Sequence, residues 1–303
     1  MALSIGTSAQ TFPQKEIIII NPSSTGSATW VISSMIANAI SAKIKMRIVD
    51  KPGADKMIGS NFSADAAPDG YTIHIGTTSD MFILPVLKPK GIKYDENSFI
   101  PVASIATQDP FLIVPANSPA NNLKEYLDMI RQDPNARSFA VAGPLTKILA
   151  ARVFQLAGTD IQVNEIPYAG DNKIIVDLAG GHLSAGLSTL TTAKPALTSG
   201  KIKLIASFGK SRSLEFPNVK TINEQYPGLL ESWWWGFYVP AGTPVDIVNF
   251  LNESVNAVLN DPKLIEELAS NGYTANPMTL SQVTKHHQIM MKKYTPFVDK
   301  YLR

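Results

Sequence analysis

Cysteine is absent from the 303-residue sequence, which excludes disulfides, thiolate zinc sites, iron–sulfur clusters and cysteine nucleophiles. An excess of one charge is also missing, because 27 Lys and Arg face 25 Asp and Glu and leave a formal charge of +2. Without a basic stripe interleaved with aromatics, the sequence carries no electrostatic footprint for nucleic acid. No apolar run approaches the roughly 18 residues of a membrane span, and the densest, Ile17 to Ile20, has the length of a strand.

The composition is that of a folded protein, with 45% hydrophobic and 17% charged residues, and the length favours two domains. Strand patterns such as Tyr71 to Gly76 and Phe111 to Val114 end in Gly, Pro or small polar residues. Between strands, apolar residues recur at helical spacing, as in Leu123 to Ile130. The alternation predicts an α/β protein with mostly parallel sheets.

Motifs for catalysis are incomplete. Leu204 stands where a phosphate-binding P-loop ending at Gly209-Lys210 would need its first glycine. The segment Gly181 to Gly186 is one residue too long for a nucleophile elbow, and no His-Glu-x-x-His pair is present. We therefore expect no catalysis, metal site or cofactor, although an α/β transferase or hydrolase stays open as the alternative.

Loops rich in Gly, Ser and Thr recur where predicted strands lead into helices. They are Asn21 to Thr29, Gly76 to Asp80, Gly143 to Thr146 and Ala169 to Asn172. In α/β sheets the ligand crevice lies at the carboxyl ends of the strands, and helix N-termini there offer free N–H groups to an anion. Four such loops together predict a site for a carboxylate or a phosphate.

At these residues the sequence resembles the periplasmic solute-binding receptors of tripartite tricarboxylate transporters, the Bug or TctC-like proteins. Lys51-Pro-Gly-Ala54, Ile58-Gly59 and Ala66 to Thr72 are similar to the family's Arg-Pro-Gly-Ala-Gly-Gly, Ile-Gly and Pro-Asp-Gly-Tyr-Thr pattern at matching spacing. Shorter matches continue in order, so that the resemblance runs from about residue 15 to about residue 300.

The resemblance implies a two-lobed periplasmic binding protein fold that closes on its ligand like a flytrap. We expect residues 1–115 and 233–303 in lobe one and residues 116–232 in lobe two, with the ligand cleft between them. Strand patterns flanked by proline place the two crossings between lobes near Phe111 to Pro115 and Trp235 to Pro240.

In the family, the ligand carboxylate is held by the first strand-to-helix loop of one lobe and by a Gly-Ser/Thr loop of the other. The corresponding segments here are Ser24 to Thr29 and Gly143 to Lys147. The candidate ligand-binding residues are Asn21, Ser24, Thr25, Gly26, Ser27, Thr29, Thr77, Ser79, Gly143, Thr146, Lys147, Tyr168, Ala169, Gly170, Asp171 and Thr189.

The pocket departs from the family pattern. Thr25-Gly26 and Thr29 replace the usual Gly-Gly-x-x-Asp, and Leu187-Ser188-Thr189 replaces Phe-Asp-Asn. Because the loop aspartate is lost and Lys147 adds a cation, we expect a ligand without an amine. We expect backbone N–H groups and hydroxyls to hold the carboxylate, whereas Lys147 either reaches a second carboxylate or lies along the surface. The run Trp233 to Trp235 favours core or hinge packing over stacking on a ligand.

The predicted function is capture of a small carboxylate, either a dicarboxylate or an aromatic carboxylate, and its delivery to the permease subunits of a membrane transporter. We expect a monomer in the periplasm, and a periplasmic sensory receptor is the remaining alternative. The start, Met1 to Gln10, ends in small residues like the last part of an export signal but lacks a charged region and a full apolar segment. An ordinary disordered start is equally compatible with it.

Overall fold

The computed structural model describes residues 12–87, 90–158 and 161–303. The export-signal segment predicted at Met1 to Gln10 lies outside these ranges. The described chain forms two β-sheets, each flanked by helices.

The first sheet has the strand order β11-β4-β10-β3-β1-β2. Strand β1 pairs in parallel with β2 and β3, whereas β10 runs antiparallel to both β3 and β4, and β11 runs antiparallel to β4. The strands are β1 (Ile17–Asn21), β2 (Met46–Asp50), β3 (Thr72–Thr77), β4 (Phe99–Gln108), β10 (Trp233–Pro240) and β11 (Thr274–Ala275).

The second sheet has the order β7-β6-β8-β5-β9, in which β6 is parallel to β7 and β8 while β5 is antiparallel to β8 and β9. Its strands are β5 (Phe111–Pro115), β6 (Ser138–Val141), β7 (Asn164–Pro167), β8 (Ala185–Ser188) and β9 (Ile202–Ser207). The predicted two-lobed α/β fold is confirmed. The sheets are mixed rather than mostly parallel, because β5 and β10, which follow the passages between sheets, run against their neighbours.

Helices connect most of the strands. They are α1 (Ala28–Ile40), α2 (Met57–Ala64), α3 (Leu84–Leu87), α4 (Leu123–Gln132), α5 (Pro144–Ala157), α6 (Asp171–Ala179), α7 (Leu190–Thr198), α8 (Val245–Leu259), α9 (Pro262–Ser270) and α10 (Leu280–Tyr301). A π-helical turn, Ser79–Ile83, leads into α3. Within the described ranges, none of the helices combines the length and the apolar character that a membrane crossing requires.

The helices α1 and α6 each bury an apolar stripe against a sheet. Ile32, Ile36 and Ile40 of α1 are fully buried on the first sheet, and Ile174 and Leu178 of α6 are fully buried on the second. Complete burial of one such side chain contributes about 1.5–3 kcal/mol, so these stripes fix the helices whose N-termini border the cleft.

The two segments that connect the sheets differ by a few residues from the predicted crossings between the lobes. Strand β5 pairs with β8 and β9, so Phe111–Pro115 belongs to the second sheet and not to lobe one. Likewise Trp233–Pro240 is a central strand of the first sheet. The chain passes at Asp109-Pro110 and returns at Ser232, whose hydroxyl donates to the Asp109 carboxylate. Proline at a strand end led to the misplacement, since Pro115 and Pro240 close strands here.

Helix α10 contacts both lobes. The Tyr301 hydroxyl donates to Gln155 Oε1 of α5 at 3.0 Å, and Val283, Tyr294 and Val298 belong to a core cluster shared with the second sheet. The C-terminal segment therefore is not confined to lobe one, as the predicted boundaries had it.

Candidate functional site

A cavity lies where the carboxyl ends of β1 and β3 meet the N-termini of α5 and α6. It contains about 470 Å³ of space free of protein atoms, part of it open to solvent. The first lobe contributes Ser23, Ser27, Ala28, Thr29, Lys56 and Thr77 to Ser79, and the second contributes Ala142, Leu145, Thr146, Gly170 and Asp171. Trp233 to Trp235 complete the wall, because β10 starts beside the end of β3 and pairs Trp235 with Thr77.

The hydroxyls of the first loop are engaged within the protein. Ser27 caps α1 and accepts a hydrogen bond from Trp30 N at 3.3 Å. Thr29 Oγ1 accepts the indole N–H of Trp235 at 3.0 Å. Both predicted residues border the cavity, yet they first hold the loop and the tryptophan in place.

Asp171 places a carboxylate of the protein at the N-terminus of α1. Its Oδ1 accepts Ala28 N from the opposite lobe at 3.3 Å, while Oδ2 accepts the Thr192 hydroxyl at 2.7 Å and the Ser188 hydroxyl at 3.1 Å. Asp171 is only 5% exposed. The helix N-terminus predicted to hold the ligand anion thus already holds a carboxylate.

At the N-terminus of α5 the predicted donors are also occupied. The Thr146 hydroxyl accepts Ala142 N at 2.7 Å and donates to Gly143 O at 2.8 Å, which closes the loop on itself. Leu145 N donates to Ser79 Oγ across the cleft at 3.3 Å. Gly143 has φ of 109°, a left-handed conformation that favours glycine at this close approach.

Three further contacts join the lobes. Lys147 Nζ lies 2.9 Å from Asp55 Oδ2, Ser24 Oγ donates to Asn172 Oδ1 at 2.9 Å, and Asn172 Nδ2 donates to Thr25 O at 3.0 Å. Lys147 therefore does not lie along the open surface, as one of the two expectations had it, but forms an ion pair between the lobes. The position of Asp55 could not be read from sequence spacing, since it lies 92 residues away.

Lys56 brings a cation to the cavity that sequence reasoning missed. It ends a turn in which Ala54, Asp55 and Lys56 have φ of 47°, 52° and 81°. Its Nζ donates to Ser23 Oγ at 2.6 Å. Burial lowers the pKa of Lys56, and the charges of Asp80, Asp171 and Asp55 oppose that shift. A signal was present, because Asp55 and Lys56 follow Lys51-Pro-Gly-Ala54 where the family pattern has two glycines.

A buried polar chain supports the floor of the cavity. Thr77 N donates to Asp80 Oδ1 at 2.9 Å, His74 Nε2 lies 2.6 Å from Asp80 Oδ2, and Ser63 Oγ lies 3.0 Å from His74 Nδ1. Although burial alone would raise the pKa of the Asp80 carboxyl, its contacts with His74 and the charge of Lys56 hold it below the usual value.

A serine, a histidine and an aspartate are connected in this chain as in the catalytic triad of a hydrolase. However, a substrate could not reach Ser63, His74 or Asp80. All three residues are fully buried, and the Ser63 hydroxyl donates to Gly59 O at 3.0 Å. A nucleophile must reach the substrate, so this arrangement is structural.

The tryptophans serve both as packing residues and as cavity wall. Trp234 and Trp235 are 2% exposed, and the Trp234 indole donates to Ser104 Oγ at 2.9 Å. Two buried polar atoms of the lining, Trp233 Nε1 and Thr78 Oγ1, have no hydrogen-bond partner in the described structure.

The structure places the predicted site residues in two groups. Ser27, Thr29, Thr77, Ser79, Thr146, Gly170 and Asp171 line the cavity. The others lie outside its lining: Asn21, Ser24, Thr25, Gly26, Gly143, Lys147, Tyr168, Ala169 and Thr189.

Several of the outer group have structural roles. Asn21 donates to Asp50 Oδ1 at 2.8 Å, and Thr25 donates to the same carboxylate. The Tyr168 hydroxyl donates to Asp177, and burial together with that carboxylate raises the pKa of Tyr168 to about 12.

Two α/β lobes with a polar and aromatic cavity between them define a two-lobed solute-binding protein. Residues 33–301 match the family of tripartite tricarboxylate transporter receptors, and the chain belongs to this family. The resemblance found in the sequence is thereby confirmed.

Individual relatives are distant in sequence and close in fold. A UPF0065 protein from the tcbD-tcbE intergenic region of Pseudomonas sp. (strain P51) is 29% identical over 268 residues, covering 86% of this chain and 79% of that protein. A structure described as a periplasmic transporter is 28% identical with a TM-score of 0.90, over 96% of this chain and 98% of the other. MatC from Rhodopseudomonas palustris, solved with bound malate, shares the fold with a TM-score of 0.87 at 23% identity, over 95% and 100% of the two chains.

Proposed function

We propose that this receptor captures a small carboxylate in the cleft between its two lobes, in the periplasm, and delivers it to the permease subunits of a tripartite transporter. The observation that carries the proposal is the cavity at the junction of the lobes, where one lysine and several hydroxyls border an aromatic wall. Family membership and the malate bound to MatC support a carboxylate as the ligand.

Contacts between the lobes support a flytrap mechanism. The pair Lys147–Asp55 and the hydrogen bonds of Asn172 and Asp171 all cross the cleft. A ligand that adds contacts to both lobes shifts the population toward this closed form, which the permease would recognise.

The protein acts by binding alone and as a monomer. The Ser63, His74 and Asp80 chain is sealed in the core, and the hydroxyls of Thr29 and Thr146 are engaged in holding the loops.

The test is a thermal-shift and calorimetric screen of the purified protein against monocarboxylates, dicarboxylates and acidic amino acids. A ligand at about 100 times its Kd should stabilise the protein by about 2.7 kcal/mol. The bound ligand should be recovered chemically unchanged after long incubation. Absence of any stabilising carboxylate, or recovery of an altered product, would contradict the proposal. Size-exclusion chromatography with light scattering tests the monomer, and fractionation of the native host tests the periplasmic location.

Transport is tested separately in the native host. Deleting the gene should abolish uptake of the radiolabelled ligand identified in the screen, and supplying the gene should restore it. Unchanged uptake would contradict delivery to a permease while leaving binding intact.

A further inference from the structure

We propose that Lys56 is the residue that binds the carboxylate of the ligand, and that the ligand is a monocarboxylate with an apolar body. This inference rests on the proposed function and narrows it to one anchor and one ligand class.

The backbone gives the first argument. Ala54, Asp55 and Lys56 are three consecutive residues with φ between 47° and 81°, the left-handed region in which glycine is favoured. Non-glycine residues persist in such conformations where the surrounding structure holds them, and they concentrate at binding sites. Here both charged side chains of the turn point to the cleft: Asp55 pairs with Lys147, and Lys56 reaches Ser23.

The position of the ammonium group gives the second argument. A Cβ at Gly143, in the opposite lobe, would lie 3.6 Å from Lys56 Cε, so the side chain spans the cleft. The ammonium has three N–H donors, and Ser23 Oγ is its hydrogen-bond partner in the described chain. Lys56 forms no ion pair with a described carboxylate, although the charges of Asp80, Asp171 and Asp55 act on its ammonium. A ligand carboxylate would supply the acceptors.

Other residues that were predicted to bind the ligand already have partners within the protein. Asp171 accepts Ala28 N at the start of α1, Ser79 accepts Leu145 N at the start of α5, and Asp55 neutralises Lys147. A carboxylate that replaced any of these partners would have to break an existing hydrogen bond or ion pair.

Two residues of the lining carry a buried polar atom that has no hydrogen-bond partner in the described structure. Thr78 is 1% exposed and its hydroxyl has no partner, and the buried Trp233 indole nitrogen is likewise without one in the described structure. Both residues line the same cavity as Lys56. Buried donors are normally hydrogen-bonded, and carboxylate oxygens can accept from a hydroxyl, an indole N–H and an ammonium.

The rest of the lining decides the ligand class. Ala28, Ala142, Leu145 and the tryptophan rings provide apolar surface, and the charged group on that lining besides Lys56 is the carboxylate of Asp171. A second ligand carboxylate would face Asp171 without a cation of its own. A ligand with one carboxylate and an apolar body matches both parts of the cavity.

The experiment measures calorimetric affinities of the wild-type protein for benzoate, 3-phenylpropanoate, hexanoate, malate and adipate. We expect at least one of the three monocarboxylates to bind at least tenfold more tightly than malate and adipate. Lys56→Met should weaken that binding at least tenfold, because a charge-assisted contact is lost. The control Lys93→Met removes an exposed lysine of the same lobe, paired with Asp65 at 3.3 Å, and should change affinity less than twofold.

A second variant protects the test against misfolding. Lys56→Gly removes the same ammonium and suits the left-handed backbone, so it should lose affinity to the same extent as Lys56→Met. Tighter binding of malate or adipate, or equal affinities of the Lys56 and Lys93 variants, would overturn this inference and leave carboxylate binding intact. If none of the five compounds binds to the wild-type protein, this inference is wrong, and the wider carboxylate screen decides the proposed function separately.

Discussion

Strain in the turn at Lys56 can be measured without any ligand by comparing Lys56→Gly with Lys56→Met. Both variants remove the ammonium and its hydrogen bond to Ser23, so the difference between them isolates the backbone. A left-handed conformation costs a residue with a Cβ about 1–2 kcal/mol. The glycine variant loses about 0.5–1 kcal/mol of this advantage, because glycine gives the unfolded chain more conformational freedom. We therefore expect Lys56→Gly to be about 0.5–1 kcal/mol more stable than Lys56→Met.

The assay is urea unfolding of both variants, supported by calorimetry, in which this difference corresponds to a Tm shift of about 1–3 °C. The matched control compares Lys93→Gly with Lys93→Met, because Lys93 is not among the residues with positive φ. There the glycine variant should be the less stable by about 0.5–1 kcal/mol. A Lys56→Gly variant no more stable than Lys56→Met would refute the strain argument.

The remaining predictions concern contacts across the cleft and the response to pH. A double-mutant cycle of Asp55→Asn and Lys147→Met, measured by urea unfolding, should give a coupling energy of about 0.5 kcal/mol, because the two side chains are 34% and 26% exposed. This coupling energy should decrease when salt is added. A coupling energy that does not depend on salt would contradict a simple ion pair. Asp171→Ala should destabilise the protein by about 2 kcal/mol in the same assay, because Ala28 N and the Thr192 hydroxyl lose their acceptor; a neutral result would mean that water replaces the carboxylate. Burial, together with the charge of His286, lowers the pKa of His287 from 6.5 to about 4. As the pH falls, His287 therefore binds a proton in the unfolded chain before it does so in the folded protein. The free energy of unfolding should decrease between about pH 6.5 and about pH 4. His287→Phe should flatten that part of the stability curve measured by Tm against pH, and an unchanged slope would assign the acid sensitivity elsewhere.

Most of the scaffold was accessible from the sequence because it depends on local patterns. Apolar residues at helical spacing predicted α4, and turn residues marked the ends of β1 and β3. The second-sheet assignment of Phe111–Pro115 was missed because strand pairing depends on distant partners, Ala185–Ser188 and Ile202–Ser207. A strand followed by proline looks the same in either sheet.

Several loops that border the cavity could be predicted from the sequence, but the contacts that their side chains make could not. Ser27, Thr29 and Thr146 were expected to donate to a ligand. In the structure Ser27 caps α1 and Thr146 closes its own loop, whereas Thr29 Oγ1 accepts the indole N–H of Trp235. Asp171 and Lys147 meet partners 143 and 92 residues away, so only the closed cleft reveals their roles. Lys56 could have been singled out from the sequence, because Asp55 and Lys56 stand where the family pattern has two glycines.

The two charged residues of the cavity follow one electrostatic logic. The N-terminus of α1 carries a partial positive charge that would attract any carboxylate, and Asp171 satisfies it permanently from the opposite lobe. When the lobes close, Ala28 N therefore donates to Asp171. From the sequence, a ligand carboxylate was expected to accept hydrogen bonds at this helix N-terminus. The turn after Gly53 brings a cation to the same cavity by holding Lys56 in a conformation better suited to glycine. Because Asp171 and Lys56 line the same cavity with opposite charges, we expect Asp171→Asn and Lys56→Met to show non-additive effects on affinity in a double-mutant cycle.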